Sequence, residues 1–390
     1  MKILFLFPHF ILPGGAATVV LQFAKGLQLR GHKVEILCAR VSKEVQLANP
    51  QLIFKQIKIP VSSSFFYWLF IPFWQTRINR QIRSYENYIL FAHVMPSNWW
   101  AWMYKRRYRA SPIVWYCHDP GAFIHSTEWI NAIPNPFMRW GAKFFNPFLK
   151  KIDVALEKSN DIVICNSNFI KEQYQKIYSR KANGVIYPPW TPINIEIKNQ
   201  KQDYIITACR ISKFKNIDVL IRTFKIISED LRGCKLLIAG DGEEKEALQN
   251  LTKDLRLESR VSFLGNQTHD QLFSLYQNAK VTVICSVNEP FGLVPIESMM
   301  CGTPVIAHNS GGPRETVIHN QNGFLYNNET ELVQFVKRIF LMEKEQYFQM
   351  QKKCLAEVVK YDLSRSIIQL ESIFQTMTGE SHQSKTDAFN

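Results

Sequence analysis

The chain has 390 residues, 46% of them hydrophobic and 21% charged, which excludes a disordered, collagen-like or coiled-coil protein and sets two domains as the expectation. Its eight cysteines stand singly, with no C-x-x-C and no metal-ligand spacing, which argues against a disulfide framework or a zinc site and favours a reducing compartment. The net charge of +14 is uneven: residues 1–190 hold 24 Lys and Arg against 9 Asp and Glu, together with all nine Trp, whereas residues 191–390 hold 23 against 24.

The first half repeats strand, turn and helix. The run Ile3–Phe7 is broken by Pro8 and His9 and lacks a small-x-small cleavage site. It leads into Pro13-Gly14-Gly15-Ala16 and an apolar helical pattern at Val19, Val20, Phe23, Ala24 and Leu27. This reads as buried strand, glycine turn and helix, not as a cleaved leader. Further strands are expected at Val34–Cys38, Tyr88–Phe91, Ile113–Tyr116 and Ile162–Cys165, short apolar runs of the kind found in parallel sheets covered on both faces.

Three stretches of this half join aromatic to basic residues. They are Ser64–Trp74 with Arg77, Arg80 and Arg83; Trp99–Trp102 before Lys105, Arg106, Arg107 and Arg109; and Asn135–Lys151. Aromatics sit at the headgroup boundary while cations meet anionic lipid, so these stretches suggest peripheral contact with an anionic membrane surface. Ordinary helices with core aromatics and solvated charges are the alternative. No run of 18 or more apolar residues is free of charge or proline, so no membrane span is expected.

Thr191–Gln202 reads as a linker, after which the pattern restarts. Strands are expected at Ile205–Cys209, Lys235–Ala239, Val261–Leu264, Val281–Cys285 and Pro304–Ala307. Helices are expected at Ile217–Ile227, Glu243–Leu251, His269–Gln277, Leu293–Cys301 and Leu363–Met377. The polar tail Gly379–Asn390 is expected to be disordered. The fold class is therefore α/β: two doubly wound Rossmann-like domains, residues 1–190 and 200–362, facing a cleft with ligands at the carboxyl ends of the strands.

Those strand ends carry the chemistry. Arg210 closes one strand and Lys215 precedes a helix, a place where two cations can pin a diphosphate. Gly240-Asp241-Gly242 forms a second turn, short of a full dinucleotide fingerprint. In Glu289-Pro290-Phe291-Gly292-Leu293-Val294-Pro295-Ile296-Glu297 two carboxylates bracket a Pro/Gly turn that opens a helix. Gly292 admits a ligand close to the backbone, and the amides of Gly292, Leu293 and Val294 are first-turn donors for a negative group. Glu289 and Glu297 suit hydroxyl groups as acceptors; a loop carboxylate and a helix-dipole carboxylate are the plainer reading. Gly311-Gly312 marks another turn at a strand end.

Taken together, these elements resemble the retaining glycosyltransferases of family 4, which have the GT-B fold, and the resemblance covers nearly the whole chain. It implies that Arg210 and Lys215 hold the diphosphate of a nucleotide-sugar. Glu289 would contact the donor sugar, Glu297 the ribose, and Gly265 and Asn266 the base. Gly240 and the segment Phe291, Gly292, Leu293 and Val294 would complete the donor site. Gly14 and Gly15 would face the diphosphate from the other domain, where His118 in Tyr116-Cys117-His118-Asp119-Pro120 would position a hydroxyl. It further implies retention of anomeric configuration, no cofactor or essential metal, and a last helix that crosses back onto the first domain.

The expected function is transfer of a mannose- or glucose-type hexose to a lipid-linked or membrane-associated glycan, by a cytoplasmic enzyme peripheral to the inner membrane face. Nucleic acid is not an expected partner. Three readings stay open at this point: a glycoside hydrolase using Glu289 and Glu297, a basic nucleic-acid- or membrane-binding protein without catalysis, and an inactive scaffold of the same fold.

Overall fold

The structure, a computed structural model, describes residues 1–11, 14–59, 71–108, 111–126, 130–131, 133, 135–191, 197–198 and 200–378. The chain divides into two compact units, Met1–Thr191 with the segment that begins at Tyr361, and Pro192–Lys360.

The first unit is built on seven parallel strands. They are β1 (Lys2–Leu6), β2 (Lys33–Cys38), β3 (Ile53–Gln56), β4 (Ile89–Ala92), β5 (Ile113–Cys117), β6 (Ile162–Cys165) and β7 (Gly184–Val185), in the order β3-β2-β1-β4-β5-β6-β7. The chain starts at the centre, winds out to one edge, then returns and winds to the other. The first apolar run, read from the sequence as a buried strand, is thus an interior strand, hydrogen-bonded on both sides. β5 reads Ile-Val-Trp-Tyr-Cys and is buried at every position, as a strand covered on both faces must be.

The second unit repeats the winding with six parallel strands. β8 (Gln202–Ala208), β9 (Lys235–Ala239), β10 (Val261–Gly265), β11 (Ala279–Ile284), β12 (Val305–His308) and β13 (Gly323–Tyr326) lie in the order β10-β9-β8-β11-β12-β13. Helix starts follow from local chemistry. Thr268 and Gln271 form a reciprocal capping box on His269–Asn278, and Asn328 accepts from the Glu331 amide at 3.0 Å to open Glu329–Phe340.

Strands β3, β7 and β13 were not expected from the sequence, nor were the helices Glu329–Phe340 and Lys344–Val358. β3 is an edge strand whose side chains are mostly exposed, and β7 is two residues long, so neither carries an apolar run. The expected disordered tail and the stretch Ser64–Phe70 lie outside the described residues.

The Trp99–Trp102 expectation is corrected. Trp99, Trp100 and Trp102 are buried in the first unit's core on the helix Ser97–Tyr108. The indole N–H groups of Trp99 and Trp102 donate to Asp153 and Asn160, both at 2.6 Å, so these rings fill the interior and face no membrane. Among the described residues no helix is long and apolar enough to cross a membrane.

The last helix, Leu363–Thr378, returns to the first unit and packs on Gly15–Leu29. Gly26 makes the approach possible: a Cβ there would fall 2.6 Å from Ile367. Phe374 is fully buried, edge-on to Phe91 at 5.3 Å. Glu371 accepts from Arg30 at 2.7 Å and lies 2.6 Å from the His32 ring nitrogen. Burial pushes the Glu371 carboxyl up, but the bonds from Arg30 and His32 outweigh it and hold it below the ordinary carboxylate range. Truncating Phe374 to Ala should cost the first unit about 3–5 kcal/mol, read as an earlier urea transition for that unit with the second unit's transition unmoved.

Candidate functional site

The site in the second unit is assembled where β8, β9 and β11 end. β8 runs out at Ala208 and the chain turns through Cys209–Asn216 into the helix Ile217–Asp230. Backbone bonds stitch this loop to its neighbours: Cys209 N–H donates to Ala239 O at 3.1 Å and Ile211 N–H to Asp241 O at 2.9 Å. Gly240 N–H in turn donates to Gly265 O at 2.8 Å. Gly240, at φ +122°, must be glycine, because a Cβ would lie 2.0 Å from the Cys209 carbonyl oxygen. Gly240 and Gly242, the latter with a Cβ position 2.2 Å from the Ile211 carbonyl oxygen, are therefore steric fittings of this edge, whereas a Cβ on Gly265 would meet open space, and Asn266 beside it is exposed.

The loop after β11 carries the two-carboxylate motif. Glu289 precedes the turn, Gly292 adopts φ +85°, and the helix Leu293–Met300 begins. Leu293 and Val294 present first-turn amides that have no carbonyl of their own helix to reach, and Pro295 follows without an N–H to satisfy. Phe291 is buried, and the next glycine turn packs against this loop. Gly312 N–H donates to Glu289 O at 2.7 Å, and a Cβ on Gly312 would lie 2.3 Å from Phe291 Cα. Gly311, at φ +67°, would place a Cβ 2.5 Å from the same Glu289 oxygen. The turn read from Gly311-Gly312 thus fixes the backbone of Glu289.

At the centre, Lys215 Nζ donates to Glu289 Oε2 at 2.5 Å, both side chains being only partly exposed. Burial pushes the Glu289 carboxyl up, yet the Lys215 ammonium, with hydrogen bonds from Lys215 and Ser286, wins and leaves it below the ordinary range. Lys215, Glu289, Ser286, Gly292, Leu293 and Val294 line one cavity, with Thr207 to Cys209 at the end of β8 as its floor. Asn216 holds the lysine loop in place by donating from Nδ2 to Cys285 O at 3.1 Å.

Two expected members stand apart. Arg210 is largely exposed, its guanidinium donates to Glu243 at 3.2 Å, and it does not line the cavity that Lys215 lines. Glu297 lies a turn into the helix and receives the Tyr276 hydroxyl at 3.2 Å on Oε2. Burial pushes its pKa up to about 7, only partly countered by Tyr276. Tyr276 had no sequence signal; it sits on a helix of ordinary composition.

In the first unit, Gly14 and Gly15 open the helix Gly15–Leu29 and are exposed; Gly14 has extended backbone that any residue adopts. His118 follows β5 and is buried, with Nε2 3.0 Å from His93 Nδ1. Burial lowers the His118 pKa to about 3, so it is a neutral ring that can donate or accept but carries no charge. Asn166 anchors its backbone, donating to His118 O at 2.9 Å. The sequence singled out His118 but gave no sign that His93 would pair with it.

Comparison with known proteins follows this division. Residues 13–189 match the family described as Glycosyltransferase Family 4, and residues 191–356 match Glycosyl transferases group 1. The chain is 41% identical over 119 residues to an uncharacterized glycosyltransferase of Methanocaldococcus jannaschii, covering 30% of each. It is 27% identical over 238 residues to the GDP-Man:Man(3)GlcNAc(2)-PP-Dol alpha-1,2-mannosyltransferase of Dictyostelium discoideum, covering 54% of this chain and 46% of that protein. The chain therefore spans less than half the length of these two curated relatives. Its fold is like that of Anabaena HepE in complex with UDP and glucose, with a TM-score of 0.76 at 21% identity over 96% of this chain and 100% of the other. With one match on each doubly wound unit, from residue 13 to residue 356, the chain belongs to glycosyltransferase family 4 and has the GT-B fold.

Proposed function

We propose that the protein moves a hexose from a nucleotide-diphosphate sugar to a hydroxyl of a lipid-linked or membrane-associated glycan, with retention of configuration, at the cytoplasmic membrane face. The observation that carries this is the Lys215–Glu289 pair in a cavity that also presents the first-turn amides of Leu293 and Val294. A cation and free amides suit a diphosphate, while an ionised carboxylate beside them suits sugar hydroxyls. The mannosyl chemistry named for the Dictyostelium relative supports a mannose-type donor and a lipid-linked acceptor. Family membership supports this reading over a hydrolase or a nucleic-acid-binding protein.

In this reading the bond from the sugar's anomeric carbon to the diphosphate oxygen breaks, and negative charge builds on that oxygen. Lys215, the amides and Arg210, once it exchanges Glu243 for phosphate, stabilise that charge. The acceptor oxygen joins the anomeric carbon from the same face, and its proton passes to the departing phosphate, so no side-chain base is needed. Glu289 stays ionised and orients the sugar. His118 serves as a neutral hydrogen-bonding group toward a hydroxyl. Glu297 accepts from the ribose.

Lys215→Ala should lower kcat/KM for the nucleotide-sugar by about 10²–10³-fold. The product's one-bond C1–H1 coupling should report the same anomeric configuration as the donor's, and turnover should persist in EDTA. Unchanged kcat/KM, or an inverted anomer, would contradict the assignment.

Glu297 gives a pH signature. Its folded pKa of about 7 lies above the ordinary 4.5, so protonated Glu297 favours the folded state. That stability is complete below 4.5, is lost as pH rises toward 7, and amounts to about 3 kcal/mol at most. Glu297→Gln should therefore melt at a higher temperature than the parent at pH 8 and at nearly the same temperature at pH 4.5, while binding the donor more weakly. A gap that does not change with pH would sink this account of Glu297.

A further inference from the structure

Among the described residues, the helix Pro136–Glu157 is held by one face. Asp153, fully buried on it, accepts from Trp99 at 2.6 Å and Tyr178 at 2.6 Å and lies 2.9 Å from the His125 ring nitrogen. Glu157 accepts from Tyr174 and from Arg180, the latter at 3.1 Å. Gly141, Ala142, Asn146 and Leu149 are buried on the same helix.

The opposite face is apolar and in water. Phe137, Trp140, Phe144 and Phe148 are 83%, 66%, 66% and 60% exposed. At 100° per residue these positions fall on one stripe, about 17 Å long. Trp140 and Phe144 stack on each other at 5.8 Å, with Phe137 6.5 Å from Trp140 and Phe145 5.2 Å from Phe144. Lys151 continues the stripe and Lys143 flanks it, both exposed. Four large exposed rings in one row exceed the scattered apolar residues of an ordinary surface.

We infer that this stripe is the element by which the protein docks on an anionic bilayer, with the four rings in the headgroup–acyl boundary and Lys143 and Lys151 on lipid phosphates. Charge complementarity selects this occupant: the stripe's cations lie in the half of the chain that carries 24 Lys and Arg against 9 Asp and Glu. Rings at one helix face with lysines beside them are the arrangement of an interfacial helix, and a surface of this charge is drawn to anionic lipid. The inference assigns a partner surface and does not require the sugar-transfer reading to hold.

The test is flotation of the full chain with phosphatidylcholine vesicles and with vesicles that also contain phosphatidylglycerol. The parent should float with the anionic vesicles and lose binding at 1 M salt. Each ring withdrawn from water is worth roughly tenfold in partitioning, so Trp140→Ser with Phe144→Ser should weaken binding about 100-fold. Lys143→Gln with Lys151→Gln should weaken it on anionic vesicles alone. Because all four positions are exposed, melting temperatures should stay near the parent's, and nucleotide-sugar binding by calorimetry should be unchanged in both double variants. Three results would overturn the inference. One is a parent that floats with neither vesicle. Another is a serine variant that floats as well as the parent. The third is a parent that sediments as a dimer, does not float, and becomes monomeric in the serine variant, which would make the stripe a contact between copies.

Discussion

A lysine and a glutamate, 74 positions apart in sequence and 2.5 Å apart in space, organise the second unit's site. Each depends on the other. A partly buried carboxylate without a cation would be pushed toward its neutral form, and a partly buried ammonium without an anion would be costly. Together they keep a charged acceptor and a charged donor at the rim of one cavity without a net charge. The pair is ready for a ligand that is itself doubly natured, anionic at its diphosphate and hydroxylated at its sugar.

The rest of the unit reads as support for that pair. Asn216 ties the lysine loop to the end of β11, and Ser310 receives the Asn288 amide at 2.9 Å just before the glutamate. Gly311 and Gly312 let a neighbouring turn press on the glutamate's backbone at distances no side chain would allow. The parallel winding delivers these loops to one edge because every strand of the sheet points the same way. Glu297, by contrast, keeps a carboxyl where burial disfavours its charge, a local stability cost of the kind tolerated at functional positions.

Much of this was legible before any coordinates. Strands such as Ile113–Cys117 announce themselves because burial on both faces demands an unbroken apolar run. Ile53–Gln56 and Gly184–Val185 do not, since edge and two-residue strands carry no such pattern. The residues of the site could be picked out because charges and glycines at strand ends are conspicuous, but their partners could not. Nothing in the sequence says that Arg210 meets Glu243, that His118 meets His93, or that Tyr276 meets Glu297.

The aromatic stretches show how a pattern misleads. Trp99–Trp102 and Phe137–Phe148 look alike as aromatic-then-basic text, yet the first is core and the second is surface. Spacing separates them: positions 99, 100 and 102 spread around a helix, whereas 137, 140, 144 and 148 keep to one side.

The most direct measurement of the central claim is calorimetric titration of the full chain with UDP, GDP and ADP, without any sugar or acceptor. One of these should bind with one-to-one stoichiometry in the parent, and its binding should weaken at least tenfold in Lys215→Met, which keeps the side chain's length but not its charge. A nucleoside diphosphate bound equally well by both proteins, or none bound by the parent, would show that the lysine–glutamate pair is not where the diphosphate sits.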